Sequence, residues 1–356
     1  MTYKSCFYST DFDTTLVKAM KTQRIPGAAI LTIHDRKISF AKGYGLADPM
    51  TGLAVTPDTI FTIASISKTV TATALMTLYE LGKFELDDDV NQYLPFRIYN
   101  PAHPNIPITF RMLLSHTSSI QDSERFFEYY TLNQTPVLPD SPIPLWEFLK
   151  DYLSPDGKIY NAEDNFLKDV PGTKYCYSNT GFGLLGLLAE YISGMPFDKY
   201  CKLAIFKPLN MKNTAWYFKD VDTNQMAIPY GYDNSLCEPI RYGFYSYPTW
   251  PDGALKSSVN EFARFLFIFI NEGKSFEGYS LLQSETVKEM MVLHHFPGMD
   301  SGQSVGMAWH FNGQVYWHDG GDPGISTDIC FNPVTSSALI FFCNGNDFHI
   351  FNILNS

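Results

Sequence analysis

Long hydrophobic runs, basic clusters and paired cysteines are all missing from this chain of 356 residues. The most apolar window, Phe262 to Ile270, contains Arg264. It falls far short of the ~20 residues a membrane span requires and reads as a buried helix. The opening residues, Met1 to Cys6, lack the apolar core of about 7–15 residues that marks a secretory signal. The six cysteines (6, 176, 201, 237, 330 and 343) are widely spread and form no C-x-x-C. That spacing argues against a disulfide framework and against a clustered zinc site, leaving free, mostly buried thiols. Reduced thiols without a signal point to the cytoplasm. Positive charge is scarce: 26 Lys and Arg stand against 37 Asp and Glu, a net charge of −11. Such a chain repels phosphate backbones, so nucleic acid is not an expected partner. His294, His295 and His310 have no Cys or carboxylate at ligand spacing, so neither a metal nor another cofactor is expected.

What the sequence does contain is an ordinary globular composition, 45% apolar and 18% charged. At roughly 150 residues per domain, the length suits about two domains or one large one. A surface helix is expected over 11–23, capped by Asp11 or Asp13 and stopped by Pro26-Gly27. Strands Ala28–His34 and Lys37–Tyr44 around Asp35-Arg36 read as a hairpin. Residues 66–82 are apolar on nearly every face, which marks a helix in the middle of the molecule. Further helices are expected at 109–115, 144–153, 181–193, 197–205, 259–272 and 284–292. After residue 303 the β-formers take over, in Val305–Phe311, Gln314–His318, Ser326–Phe331 and Ser337–Cys343. Strands at both ends and helices between predict an α/β (α+β) fold, one antiparallel sheet built from both termini with a helical insertion. The expected division is 1–64 with 252–356 for the sheet part and 65–251 for the helical part. A long elaborated loop falls around 121–170, and the active site lies in the cleft between the two parts.

Two familiar patterns are set aside. Gly302-Gln303-Ser304-Val305-Gly306 spells G-x-S-x-G, but a nucleophile elbow needs a strand before it and a helix after it. Here Pro297-Gly298 precedes and a strand-like run follows. Gly181-Phe182-Gly183-Leu184-Leu185-Gly186 spells G-x-G-x-x-G, without the carboxylate about 20 residues on that a dinucleotide site uses. Those glycines read as permitting close helix packing.

The informative segment is Ser65-Ile66-Ser67-Lys68. Serine and lysine three apart at a helix start face the same way. A hydroxyl is a weak nucleophile until a base takes its proton. Lysine serves as that base only when its pKa falls from about 10.4 towards 7, a cost of roughly 4 kcal/mol that burial and the helix dipole can supply. Tyr177-Ser178-Asn179 opens a later helix; a phenol can relay a proton, and an amide can hold a substrate carbonyl or the lysine. Asn179 or Thr180 would also serve as the cap of that helix. Trp317-His318-Asp319-Gly320-Gly321 reads as the end of a strand, where adjacent glycines leave backbone N–H groups open to a ligand.

With Ser65-x-x-Lys68, Tyr177-x-Asn179 and His318-x-Gly320 in order, the chain resembles the serine β-lactamase-like superfamily. That superfamily includes class C β-lactamases, D-Ala-D-Ala carboxypeptidases, D-aminopeptidases and related esterases. Thr56-Pro57-Asp58-Thr59-Ile60-Phe61, Leu113 to Ser118, Lys207-Pro208-Leu209-Asn210-Met211 and Asn332-Pro333-Val334 match as well, so the likeness runs from about residue 12 to 346. The resemblance implies that Ser65 is acylated while Lys68 and Tyr177 share its proton. Asn179 orients the acyl group, and the N–H groups of Ser65 and Gly321 form the oxyanion hole. His318 stands where class C enzymes carry lysine, and His116 is structural. Ser119 and Asp319 depart from the usual glycine and small residue. The expected substrate is a small ester, amide or peptide, with weak β-lactamase activity at most. A histidine at 318 beside Asp319 is expected to gain charge, and with it carboxylate substrates, towards pH 6. Acyl transfer, or a silent ligand-recognition protein, would use the same cleft; an intact Ser65, Lys68 and Tyr177 argue against the silent version. The run Tyr242 to Trp250 packs five aromatics into nine residues. Tyr245, Tyr247 or Trp250 is therefore expected to line an acyl pocket, the alternative being loop anchoring against the core.

Overall fold

The computed structural model describes residues 10–129 and 140–354. Cys6 lies outside them. Of the other cysteines, Cys201, Cys330 and Cys343 are buried free thiols, Cys176 is half-buried and Cys237 is exposed. No helix among the described residues is long and apolar enough to cross a membrane.

The chain opens with helix α1 (Thr10–Gln23), followed by β1 (Gly27–His34) and β2 (Lys37–Asp48). Asp35 and Arg36, at φ +48° and +61°, make a two-residue turn with both positions left-handed. That backbone twist matches the twist of the flanking strands. A short β3 (Leu53–Ala54) completes the N-terminal set. From the C-terminal end come β4 (Ser304–Val305), β5 (His310–Phe311), β6 (Tyr316–Asp322), β7 (Ile325–Asn332) and β8 (Ser337–Cys343). The eight strands form one sheet in the order β3-β2-β1-β8-β7-β6-β5-β4. Its halves are joined by the antiparallel pairing of β1 with β8, where Ile30 faces Phe341. The expected sheet built from both ends of the chain is therefore present.

Both faces of the central strands are covered. Ala29, Leu31, Ile340 and Phe342 point into the main core. Against that face lies α4 (Val259–Ile270), whose Phe262, Phe265 and Phe269 are all buried. Alternate residues Ala28, Ile30, Leu339 and Phe341 meet Phe12, Leu16 and Met20 of α1 on the other face. Of the two expected caps of α1, the side chain of Asp11 lies outside the described residues, and Asp13 lies within the helix, where it bonds the Lys42 ammonium and accepts from the Tyr44 hydroxyl at 2.6 Å. The run 305–311 is also not one strand. Gly306 N–H donates back to the Trp309 carbonyl, and Met307 and Trp309 turn into the core, so β4 and β5 form a tight hairpin.

Between these ends lie α2 (Ser67–Glu80) and α3 (Asn179–Ser193), which pack on each other. Residues 67–76 of α2 are buried without exception, so it sits in the middle of the protein as its all-round apolarity requires. The glycines of α3 let other backbone approach. A Cβ at Gly183 would lie 3.0 Å from Thr249, and one at Gly186 only 2.5 Å from the Pro251 ring. Gly186→Ala is expected to destabilise the fold by about 1–3 kcal/mol through overpacking. Gly181→Ala, whose nearest neighbour is 3.4 Å away, should cost much less. Urea denaturation of the two variants checks the difference.

Candidate active site

Ser65 lies in a single 3₁₀ turn, Ala64–Ile66, that leads into α2. Three contacts hold this turn. Phe61–Thr62 pairs antiparallel with Lys256–Ser257, Ile63 N–H donates to Leu255 O at 2.9 Å, and the Thr327 hydroxyl of β7 donates to Ile63 O at 2.9 Å. Ala64 is driven to φ +47°, a left-handed conformation costly for a residue with a side chain. The sheet approaches the turn here. A Cβ on Gly320 would fall 2.7 Å from Ile63 O and 2.3 Å from the Thr327 hydroxyl. That close approach explains why strand β6 runs on through Gly320 and Gly321 instead of ending at 318 as the sequence suggested. The turn comes later, at Pro323-Gly324. At Gly321 the space a side chain would fill is open, and this residue lines the cleft beside Ser65.

Lys68 is 0% exposed. Its Nζ lies 3.0 Å from Ser65 Oγ and donates to Asn179 Oδ1 at 2.7 Å and to the main-chain oxygen of Asp252 at 2.9 Å, which leaves the lone pair of the neutral amine for the Ser65 hydroxyl. The Asp252 carboxylate, 1% exposed, comes within 3.8 Å of the same nitrogen. Burial pushes the lysine pKa down, opposed chiefly by Asp252; the same burial pushes Asp252 up to about 8. Ser67 is a different kind of serine. It is buried, and its Oγ accepts from Leu255 N–H at 3.1 Å.

Tyr177 is hydrogen-bonded to the Ser65 side chain, and burial drives its phenol well above the ordinary range. Its ring stacks on His116, centroids 4.4 Å apart, with Lys68 Nζ 4.9 Å from the ring centre. His116 is thus a buried support: its Nδ1 accepts from Ser178 N–H at 3.1 Å. Asn179 begins α3, and the side-chain cap is Ser178, whose Oγ accepts from Gly181 N–H at 2.9 Å, rather than Asn179 or Thr180. The hydroxyl of Thr180 is instead spent on Asp122, which also accepts from Asn179 N–H at 2.7 Å and Thr180 N–H at 2.9 Å. Asp122 and Asp252 escaped the sequence reading. A carboxylate just past the His116 run and one set between Pro251 and Gly253 were the available signals, but only their approach to α3 and Lys68 gives them meaning.

His318 is 1% exposed. A carbonyl can only accept, so its contact with Asp319 O at 2.6 Å puts the proton on Nδ1 and leaves a lone pair on Nε2. Burial holds this imidazole well below its ordinary 6.5. The expected gain of charge at pH 6 is therefore corrected: His318 is a neutral group there. The acyl-pocket expectation is corrected too. Trp250 packs in the core with Phe197, Trp216 and Tyr217 at 5.0–5.6 Å between ring centres. Tyr245 donates to Pro323 O at 2.7 Å, and Tyr247 lies beside Asp322. All three are buried loop anchors, because their large apolar rings find more area in the core than at an open cleft. The cleft at Ser65, about 450 Å³, is walled instead by Tyr175, Tyr177, Met299, His310, Trp317 and Asp319. A larger groove of about 1110 Å³ lies at the Asp35-Arg36 end of the sheet and contains none of the signature residues. Ser304, of the discounted G-x-S-x-G, sits in β4, followed by no helix.

A family profile described as "Beta-lactamase" matches residues 12–352. The chain belongs to the β-lactamase family. Among curated relatives it is similar to "Protein flp" of Staphylococcus aureus (strain MRSA252), 25% identical over 340 residues that cover 95% of this chain and 63% of the relative. It thus spans less than two thirds of that relative's length. Among solved structures it is similar to the octameric penicillin-binding protein homologue from Pyrococcus abyssi. The TM-score is 0.78 at 25% identity, covering 96% of this chain and 74% of that one. It also shares its fold with the D-amino acid amidase from Ochrobactrum anthropi SV3, with a TM-score of 0.74 at 20% identity, covering 94% and 92%. The family is one of β-lactamase-fold hydrolases.

The buried histidines make stability depend on pH. His116 and His318 stay neutral well below 6.5 when folded, whereas the unfolded chain takes up their protons near 6.5. Their contribution is fully present above that pH and is lost on acidification, by about 1.4 kcal/mol per pH unit for each histidine. His318→Asn should remove one such contribution. Urea midpoints measured from pH 7 to 5.5 should fall less steeply in the variant than in the parent chain.

Proposed function

We propose that this chain is a serine hydrolase acting through a covalent acyl-enzyme on small esters, amides or peptides, in a cleft between its sheet-bearing and helical parts. The observation that carries the reading is the lysine amine, fully buried and 3.0 Å from Ser65 Oγ. Burial alone does not mark a base, since Lys256 is equally buried and donates to the Trp216 carbonyl; what singles out Lys68 is its distance from the Ser65 hydroxyl. In the forward step Ser65 Oγ attacks the substrate carbonyl carbon and its proton passes to Lys68, with the Tyr177 phenol bonded to the same hydroxyl. The carbonyl π pair moves onto oxygen, where the N–H groups of Ser65 and Gly321 would receive it. Collapse expels the alcohol or amine, which takes back the proton; water then repeats the sequence on the acyl-enzyme. Asn179, held by Lys68 and with its N–H anchored on Asp122, presents its amide to the acyl group.

Asp319 lines the cleft while His318 is buried behind it and neutral, and this favours neutral substrates over carboxylates. A unit charge a few ångströms away in a surface-like dielectric is worth roughly 1–4 kcal/mol. β-Lactams, which carry a carboxylate, are therefore poor substrates in this reading. A fluorophosphonate should add once, to the peptide containing Ser65, and Ser65→Ala should lose the adduct and about a thousandfold or more of turnover. Intact mass and peptide mapping decide it; an adduct on Ser67 or Ser304 would overturn the assignment. In the same assay kcat/KM for nitrocefin should lie one to two orders of magnitude (~10–100-fold) below that for a p-nitrophenyl ester.

A further inference from the structure

We propose that Asp319 is a specificity-determining residue that makes this a cleft for cationic substrates: esters or amides bearing an alkylammonium group react in preference to their uncharged isosteres. This rests on the acyl-enzyme reading above and deepens it, from a cleft that disfavours carboxylates to one that selects a positive charge. Along β6 successive side chains point to opposite sides of the strand. His318 and Gly320 face inwards, the first buried and the second pressed against Ile63. Trp317, Asp319 and Gly321 alternate with them, and all three line the cleft beside Ser65.

The protein leaves this carboxylate without a counter-ion. Apart from its own N–H, no described residue donates a hydrogen bond to it or pairs with it. Directly across the ladder stands a second carboxylate, Asp328 of β7. That one is fully buried but engaged: His349 Nδ1 lies 2.9 Å from its Oδ1, and Ile350 N–H donates to its Oδ2 at 2.8 Å. The histidine beside the pair is thus spent on Asp328. Burial and the charge of Asp328 raise the proton affinity of Asp319 above that of an ordinary carboxyl, opposed by His349 and His310. An ammonium seated against it would act the other way. Unlike the sealed Asp252, Asp319 is only half-buried and opens on the cleft, so a ligand can reach it.

The rest of the wall suits the same ligand. Among the described residues that line the cleft there is no lysine or arginine. Lys68 is sealed from it, and burial holds His310 below its ordinary 6.5. Asp300 adds a carboxylate at the exposed rim. The rings of Tyr175 and Trp317 contribute π surface, which attracts a cation. A positive group in the cleft therefore meets carboxylates and aromatic rings, whereas an uncharged group of the same shape gains only the apolar contact.

Two pairs of isosteric esters test this at pH 8, well above the ordinary carboxylate range. One pair is the 2-(trimethylammonio)ethyl and 3,3-dimethylbutyl esters of butyric acid. The other is the p-nitrophenyl esters of 5-(trimethylammonio)pentanoic and 6,6-dimethylheptanoic acids. Each rate is divided by that of alkaline hydrolysis, which removes the intrinsic effect of the charge. In at least one pair kcat/KM for the cationic member should exceed that for the uncharged one by about 10-fold or more, chiefly through KM. Asp319→Asn should bring that ratio to within about 3-fold of unity. A merely structural loss would slow both members alike and leave the ratio in place. The amide also takes a like charge away from Asp328; should the variant still fail to fold, Asp319→Ser is judged by the same ratio. Equal kcat/KM within both pairs, or a ratio unchanged in the folded variant, overturns the proposal. So does failure to turn over any of the four esters by a chain whose Ser65 takes the fluorophosphonate. Absence of any Ser65 adduct would instead remove the acyl-enzyme reading itself.

Discussion

A lysine amine sealed from water is the constraint around which the rest of this protein is arranged. Placing an amine there is costly unless its N–H groups find acceptors. The chain surrounds it with polar groups from three distant places. Ser65 comes from the turn before α2, Asn179 from the start of α3, and Asp252 from the segment ahead of α4. The residues that satisfy the lysine are thus also those that lock the two central helices and the sheet-side turn together.

The sheet contributes by closeness more than by side chains. Gly320 lets β6 press against Ile63 and Ala64, and Thr327 from β7 clasps the same backbone. The turn is left with Ala64 at positive φ, a strain of about 1–3 kcal/mol that the surrounding contacts must offset. That arrangement fixes the direction in which Ser65 points and opens the edge of β6, at Gly321, towards the cleft. On the other side a stack of aromatic and imidazole rings, His116 under Tyr177 with His318 beyond, keeps the polar centre dry. Their low proton affinity means that positive charge in this region is left to the lysine.

Much of this organisation was legible beforehand. Alternating and all-round apolarity marked β1, β2, α2 and α4 because burial is a property of the residues themselves. The serine–lysine spacing was readable because a helix start orients residues three apart in a fixed way. The misread elements share a physical cause. Val305 to Phe311 has strand-forming residues throughout, yet the core claims Met307 and Trp309 and folds the run into a hairpin. The aromatic run ending at Trp250 looked like a pocket wall because local sequence does not say which side of a loop meets solvent.

The charge state of the site shows the boundary most clearly. That His318 sits beside Asp319 is a fact of sequence, and a pair of neighbours suggested a histidine that charges readily. The tertiary structure turned the imidazole inwards and spent its Nδ1 proton on a backbone carbonyl, so desolvation outweighs the adjacent acid. By itself the sequence determined the elements, the family likeness and the serine–lysine pair, all set by local chemistry and spacing. Only the tertiary structure decided that Asp122 and Asp252 belong to the site, that Tyr245, Tyr247 and Trp250 do not, and which groups carry charge. Those outcomes depend on distance and on exclusion of water between residues far apart in the chain.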